Sequence, residues 1–356
     1  MSYNHIINSI NNNLYSGKYN NNTDELEENS LGEIVLPLET DEDLSEASQL
    51  LHQGIKQQKA GELKAALKSL RQALELFQGV RDAQKQEETL AVLALVAYMS
   101  GNYTATISYS HQCLALSQPT TDLTIQMQVL SLLGNAYRHL KNYKPAIKYL
   151  QQCLKVTHEL SNKRSEVAAL NNLGLVYKAV GKFKQAIIYQ KQSLKIVEEI
   201  EDNWGMEKVL KNIGNTYYAV DHYAEAIAYY ERCVRTARLL KHLRLASQVL
   251  KNLGNACCAT GNYGKAILYY EERLQLAKEL KDHHIEEQSL ASLGVACEAL
   301  GDYKKATKYY EERLLLAREL KDQSIEKQAF TSLKFTCEAL GDYAKVMQYE
   351  DSSTNS

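Results

Sequence analysis

From Leu44 to Glu350 the apolar residues recur at three- and four-residue spacing. Leu130, Leu133, Tyr137 and Leu140 make one such stripe, and Tyr143, Ala146, Ile147, Leu150 and Leu154 make the next. That spacing predicts helices with one buried side. Turn signals separate the stripes: Gly-Asn, Gly-Asp, Gly-Lys or Lys-Asn at one break, Lys-Asp or Glu-Asp at the following one. Asn142 is expected to cap the second stripe, and Pro145 falls in its first turn, where a missing N–H costs little. Two helices of about 16–18 residues, joined by turns of about three, account for one period of the pattern.

The period is visible in the glycines. Gly61, Gly101, Gly181, Gly261, Gly301 and Gly341 differ by multiples of 40, and Lys141 and Asp221 fill the two missing places. Two residues after most of these comes an aromatic: Tyr103, Tyr143, Phe183, Tyr223, Tyr263, Tyr303 and Tyr343. A second series, Gly134, Gly174, Gly214, Gly254 and Gly294, falls inside the first helix of successive units, each preceded by Leu or Ile. Glycine in a helix interior costs roughly 1 kcal/mol against alanine. Five in register, with Ala146, Ala186, Ala226, Ala266 and Ala306 on the partner helix, therefore predict close approach of two helices. Eight units are expected, at about 44–83, 84–123, 124–163, 164–203, 204–243, 244–283, 284–323 and a shortened 324–350. The first departs by carrying Gln57 where Tyr is expected, and the last by Lys334 for Gly and Val346 for Ala.

Leu-Gly-x-x-Tyr, then Gly-x-Tyr, then Ala on the second helix resembles the tetratricopeptide repeat. The likeness is plainest in Leu133-Gly134-Asn135-Ala136-Tyr137 with Tyr143 and Ala146, and in Ile213-Gly214-Asn215-Thr216-Tyr217 with Tyr223 and Ala226. A 40-residue period resembles the longer-helix subclass, Pins-like regulators and bacterial arrays among them. The resemblance implies an all-α fold, a right-handed superhelical solenoid of about eight hairpins, with the first helix of each unit lining a concave face.

On that resemblance the residue after each helix glycine, and those three and six before it, face inward. The third unit supplies Gln128, Ser131, Asn135 and, a turn on, Arg138; the fourth supplies Ala168, Asn171, Leu175 and Lys178. Lys208, Lys211, Asn215 and Tyr218 follow from the fifth, and Gln248, Lys251, Asn255 and Cys258 from the sixth. The seventh and eighth turn more apolar and acidic, with Val295, Glu298, Phe335 and Glu338. Asn offers both a donor and an acceptor to a peptide backbone, and Lys offers charge to carboxylates. Lys211, Asn215 and Asn252 resemble three parts of the carboxylate clamp of chaperone-binding relatives, whose remaining basic places fall at the uncharged Gln288 and Ser292. The expected partner is a protein or peptide with an acidic or carboxylate-bearing segment. The alternatives are a peptide-sensing regulator of the bacterial type and a chaperone-like assembly factor.

Composition narrows the classes. The chain has 356 residues and a formal charge of −2, without the basic excess of a general nucleic-acid binder. Its opening, MSYNHIINSI, lacks the basic-then-apolar order of a secretory signal, and the longest apolar run, Leu90–Met99, is far short of the ~20 residues of a membrane span. A cytoplasmic location and free thiols are the expectation for its 7 Cys. Register places Cys113, Cys153 and Cys233 in one repeat slot and Cys257, Cys297 and Cys337 in another, so they read as buried thiols a repeat apart, not a metal cluster. The 9 His show no metal spacing, and His283-His284 falls at a turn between units. With no phosphate loop and no Ser/His/Asp arrangement, neither catalysis nor a cofactor is expected. Charge runs such as Glu271-Glu272-Arg273, repeated as Glu311-Glu312-Arg313, are expected on solvated faces. Trp204 either packs on the preceding unit or stacks on a ligand.

Residues 1–43 differ in kind. Asn11-Asn12-Asn13 and Asn20-Asn21-Asn22 mark a polar stretch expected to stay disordered, and ten Asp and Glu with no Lys or Arg lie between Tyr19 and Ile55. The acidic tail reads as a solubilising segment, or, through Ile34-Val35-Leu36-Pro37-Leu38-Glu39, as a mimic of the groove's ligand. At the other end a short tail, 351–356, follows a unit without a polar capping helix, which leaves apolar surface for self-association or a partner.

Overall fold

In a computed structural model of the chain, residues 45–116 and 122–345, with 347 and 349, are described; the acidic tail, Val346 and the tail 351–356 lie outside them. The described residues form fifteen α-helices and no strand. They pair as α1 (Glu46–Lys59) with α2 (Leu63–Gly79), α3 (Ala83–Met99) with α4 (Tyr103–Leu116), α5 (Leu123–His139) with α6 (Tyr143–Glu159), and α7 (Lys163–Ala179) with α8 (Phe183–Glu199). Then come α9 (Asn203–Tyr218), α10 (Tyr223–Leu239), α11 (Leu243–Ala259), α12 (Tyr263–Leu280), α13 (His283–Leu300), α14 (Tyr303–Glu319) and α15 (Gln323–Leu340). Two bodies result, one reaching Gly205 and the other starting at Met206.

The 40-residue glycine slot is a helix terminus. Gly61, Gly101, Gly181, Gly261, Gly301 and Gly341 all have φ between 70° and 84°, where a residue without Cβ is unstrained. Each turn closes the same way, as where Lys141 N–H bonds Arg138 C=O at 2.9 Å and Asn142 N–H bonds Tyr137 C=O at 2.8 Å, satisfying carbonyls a helix leaves open. An Asp or Asn caps several of the following helices: Asn262 accepts from Lys265 N–H and Asp302 from Lys305 N–H after glycine turns, and Asp282 from Ile285 N–H and Asp322 from both Ser324 and Ile325 N–H after turns between units, whereas Lys182, His222 and His242 hold that place without a side-chain cap. Asn142 holds the same place, but its side chain makes no capping bond.

The helix-interior glycines do mark close approach. A Cβ on Gly134 would meet Leu150, on Gly174 Gln190, and on Gly214, Gly254 and Gly294 the rings of Tyr230, Tyr270 and Tyr310. All three tyrosines are at most 2% exposed. In the first body and at the start of the second, a second tyrosine slot stacks within each hairpin: Tyr137 on Tyr149, Tyr177 on Tyr189 and Tyr217 on Tyr229, with centroids 5.3–5.7 Å apart. Where Cys257 and Cys297 replace the inner ring, the outer ring takes a different partner. Tyr269 OH donates to Glu231 at 2.7 Å and Tyr309 OH to Glu271 at 2.8 Å. The chain's tyrosine excess, 24 Tyr against 4 Phe and 1 Trp, is thus a packing device repeated by register.

Helix α3 differs from the others. Glu87 through Tyr98 are buried without interruption; from Leu90 on the segment is apolar on all sides and so must be buried all round. Leu95 and Tyr98 cluster with Leu132 and Ala136 of α5.

Candidate functional site

In the second body the predicted inward positions are half-buried on α9 and α11: Lys208, Lys211, Asn215 and Tyr218, then Lys251, Asn252, Asn255 and Cys258, with Gln248 exposed. The two asparagines are not the two-sided groups expected from their type. Asn215 Oδ1 accepts from Tyr230 OH at 2.7 Å and from Asn252 Nδ2 at 3.2 Å, and Asn255 Oδ1 accepts from Tyr270 OH at 2.7 Å. The tyrosines wedged against Gly214 and Gly254 therefore occupy the asparagine acceptors. The carboxamide NH2 groups remain as the donor ends. With Lys208, Lys211 and Lys251 alongside, this stretch offers donors and positive charge. The clamp-like trio is internally linked, since Asn252 is bonded to Asn215.

Further along, the face changes sign. Glu298 of α13 is a half-buried carboxyl beside Tyr310; burial pushes its pKa up to about 7, and the Tyr310 hydrogen bond opposes that rise. Phe335 and Glu338 of α15 are exposed, as are the apolar Leu340, Tyr343 and Met347.

In the first body the expected face is only partly there. Asn171 and Lys178 of α7 are half-buried, and burial lowers the Lys178 pKa. Gln128, Ser131 and Asn135 of α5 are 7%, 8% and 2% exposed, which corrects their reading as groove-lining groups. α5 packs through Leu132 and Ala136 on Ala94, Leu95 and Tyr98 of α3. Asn135 Oδ1 is buried without a hydrogen-bond partner, because Leu150 stands where Tyr230 and Tyr270 stand in later repeats. Arg138 stays half-buried, 3.1 Å from His139 Nε2, and His139 stacks on Tyr103.

The cysteines other than Cys258 are buried. Burial pushes the Cys113, Cys153 and Cys233 thiols up to about 12. Each of these thiols donates to a carbonyl 26 residues earlier, Glu87, Met127 and Glu207, and Ser193 Oγ does the same to Val167. Among the described residues no three His, Cys, Asp or Glu are placed to hold a metal ion, and no helix is long and apolar enough to cross a membrane. Trp204, in the first turn of α9, is 36% exposed.

The solvated-face reading fails for two arginines. Arg273 and Arg313 are 3% and 8% exposed. They occupy the very slot of Cys113, Cys153, Ser193 and Cys233, one and two repeats further on. Register, applied to charged residues as it was to cysteines, is the signal that finds them.

The tetratricopeptide repeat family matches residues 85–159, 124–199, 165–239, 205–279 and 243–319 in overlapping stretches. The chain, with its repeated helical hairpins, belongs to that family. No curated protein matches it in sequence. Among solved structures it is similar to a signal transduction ATPase with numerous domains and a tetratricopeptide repeat sensor from Pyrococcus horikoshii, at 17% identity and TM-score 0.66. That likeness covers 80% of this chain and 44% of the ATPase, so the chain spans less than half of that relative's length. It is similar also to the apo form of RapI, at 15% identity and TM-score 0.58, over 78% of this chain and 99% of RapI. The quorum sensor NprR from B. thuringiensis matches at 13% identity and TM-score 0.56, over 87% of this chain and 86% of NprR.

Proposed function

We propose that this chain is a protein-interaction module whose second body receives an extended, acidic polypeptide segment along α9 and α11. The observation that carries the reading is the polarity of that stretch. Tyr230 and Tyr270 occupy the acceptor oxygens of Asn215 and Asn255, leaving amide donors beside Lys208, Lys211 and Lys251. A row of donors and cations complements peptide carbonyls and carboxylates and repels basic segments. A binding role rather than catalysis suits a face built from a repeat, in which no acid, base and nucleophile converge. Likeness to the quorum sensor NprR favours a sensing version of the same reading, in which the bound segment is a signal.

The test is the double change Lys211→Glu with Lys251→Glu, read by titration of a labelled acidic peptide. Affinity is expected to fall at least about tenfold, equivalent to roughly 1.4 kcal/mol, while the far-ultraviolet circular dichroism stays unchanged. Equal binding by a folded double variant removes the assignment of this face.

A further inference from the structure

Arg273 and Arg313 are one repeat apart, both buried, and unequally partnered. Arg313 is neutralised: its Nε donates to Glu287 Oε1 at 2.8 Å, its Nη2 lies 2.6 Å from the same oxygen, and Nη2 also donates to Gln328 Oε1. Arg273 keeps the equivalent glutamine bond, Nη2 to Gln288 Oε1 at 2.9 Å, and adds Nη1 to Ser289 Oγ at 3.1 Å. The position equivalent to Glu287 is Ser247. No carboxylate stands there, and both Ser247 Oγ and Arg273 Nε are buried without a hydrogen-bond partner.

A second cation converges on the same neutral acceptor. Lys251 Nζ of α11 donates to Gln288 Oε1 at 3.4 Å, so an ammonium and a guanidinium share one amide oxygen. Neighbouring carboxylates pair elsewhere, Glu287 with Arg313 and Asp282 with Arg244 and the cap of α13, and act on Arg273 only through space. Burial of Lys251, and secondarily Arg273 beside it, lowers its pKa. Two cations held close in a partly dry site are stabilised by an anion there. Gln288 and Lys251 are half-buried, so the cluster opens to the face that carries Asn255.

We propose that Arg273, Lys251 and Gln288 form a subsite for a carboxylate of the bound segment, an Asp or Glu side chain or a C-terminus. The cation that sequence register left missing at Gln288 is supplied from behind, by a buried arginine of the second helix of the hairpin. The assignment deepens the binding reading above and rests on it for the identity of the ligand.

Ser247→Glu returns the internal carboxylate found at Glu287, and Ser247→Gln is its neutral control. The full chain and both variants are melted with sodium acetate against sodium chloride of the same ionic strength. The wild type and Ser247→Gln are expected to gain melting temperature with acetate. Ser247→Glu is expected to melt above Ser247→Gln without acetate, and to respond to acetate at least about tenfold more weakly. A wild type indifferent to acetate, or a Ser247→Glu response equal to that of Ser247→Gln, overturns the subsite. Two peptides identify the source: an acidic one amidated at its C-terminus, and a neutral one with a free C-terminus. Weakening of one of them by Ser247→Glu names its carboxylate as the group bound. A wild type that answers acetate but binds neither peptide sinks the groove reading while supporting the anion subsite.

Discussion

At Gly254 the absence of one carbon decides two things. It lets the Tyr270 ring lie against the backbone of α11, and it brings the Tyr270 hydroxyl to Asn255, whose acceptor it takes. Gly254→Leu puts a side chain into that ring, and the buried ring has no room to move aside. The expected cost is about 1–3 kcal/mol or more, read as a lower urea midpoint. A control with open space around its Cβ, Gly264→Ala, should stay within about 0.5 kcal/mol of wild type. Identical melting of Gly254→Leu and wild type contradicts the close-approach account. Much of this was legible from spacing, since a helix glycine facing a partner-helix alanine predicts contact. The loss of the asparagine acceptor was not, because it depends on where a hydroxyl 15 residues away ends up.

Helices and turns were the most readable level, and the physical reason is local. A three-residue turn with a left-handed residue, followed in some repeats by an Asp or Asn cap, is specified by neighbours in the chain. Lys141 tests how strongly. It sits at φ 57° in a place that six other repeats give to Gly. A side chain there costs about 1 kcal/mol, against which glycine adds flexibility to the unfolded chain. Lys141→Gly is expected to stabilise α5–α6 by about 0.5 kcal/mol, measured by native-state hydrogen exchange of the Leu140–Asn142 turn and its flanks. Faster exchange in the variant contradicts the strain argument. Helix α3 was less readable. In sequence Leu90–Met99 is a run too short to span a membrane, and the burial of Leu90–Tyr98 on all sides, with Leu95 and Tyr98 against Leu132 and Ala136 of α5, appears only on packing.

Taken as a whole, the molecule buries carboxyls of the second body, Glu298 and Glu207, and that burial gives its stability a pH dependence. Glu298 titrates near 7 in the folded chain and about 4.3 when unfolded. The folded state therefore holds the extra proton between those values, and stability falls as pH rises from about 4.5 to about 7. Glu207, whose burial also raises its pKa against the opposing pull of His242, contributes in the same direction. Glu298→Gln is expected to remove part of the decline, stabilising the chain at pH 8 more than at pH 5 by about 2 kcal/mol, allowing for the water that reaches this side chain. A difference between variant and wild type that is the same at both pH values rules out Glu298 as a titrating group.

The amino-acid sequence by itself determined the repeat, the hairpins, their turns and the family, because each of these follows from spacings within about forty residues. It also placed Cys113, Cys153, Cys233, Cys257, Cys297 and Cys337 in buried slots. Tertiary structure decided which polar atoms still face outward. Asn135, Asn215 and Asn255 are the same residue at the same register, yet one is sealed beside Leu150 and the other two are turned into donors by tyrosines of the next helix. Arg273 looked like one member of a surface charge run until packing put it in the slot of a buried thiol. Exposure and hydrogen-bond capacity belong to neighbours brought together by folding, and a one-dimensional pattern holds no record of them until those neighbours are read in register.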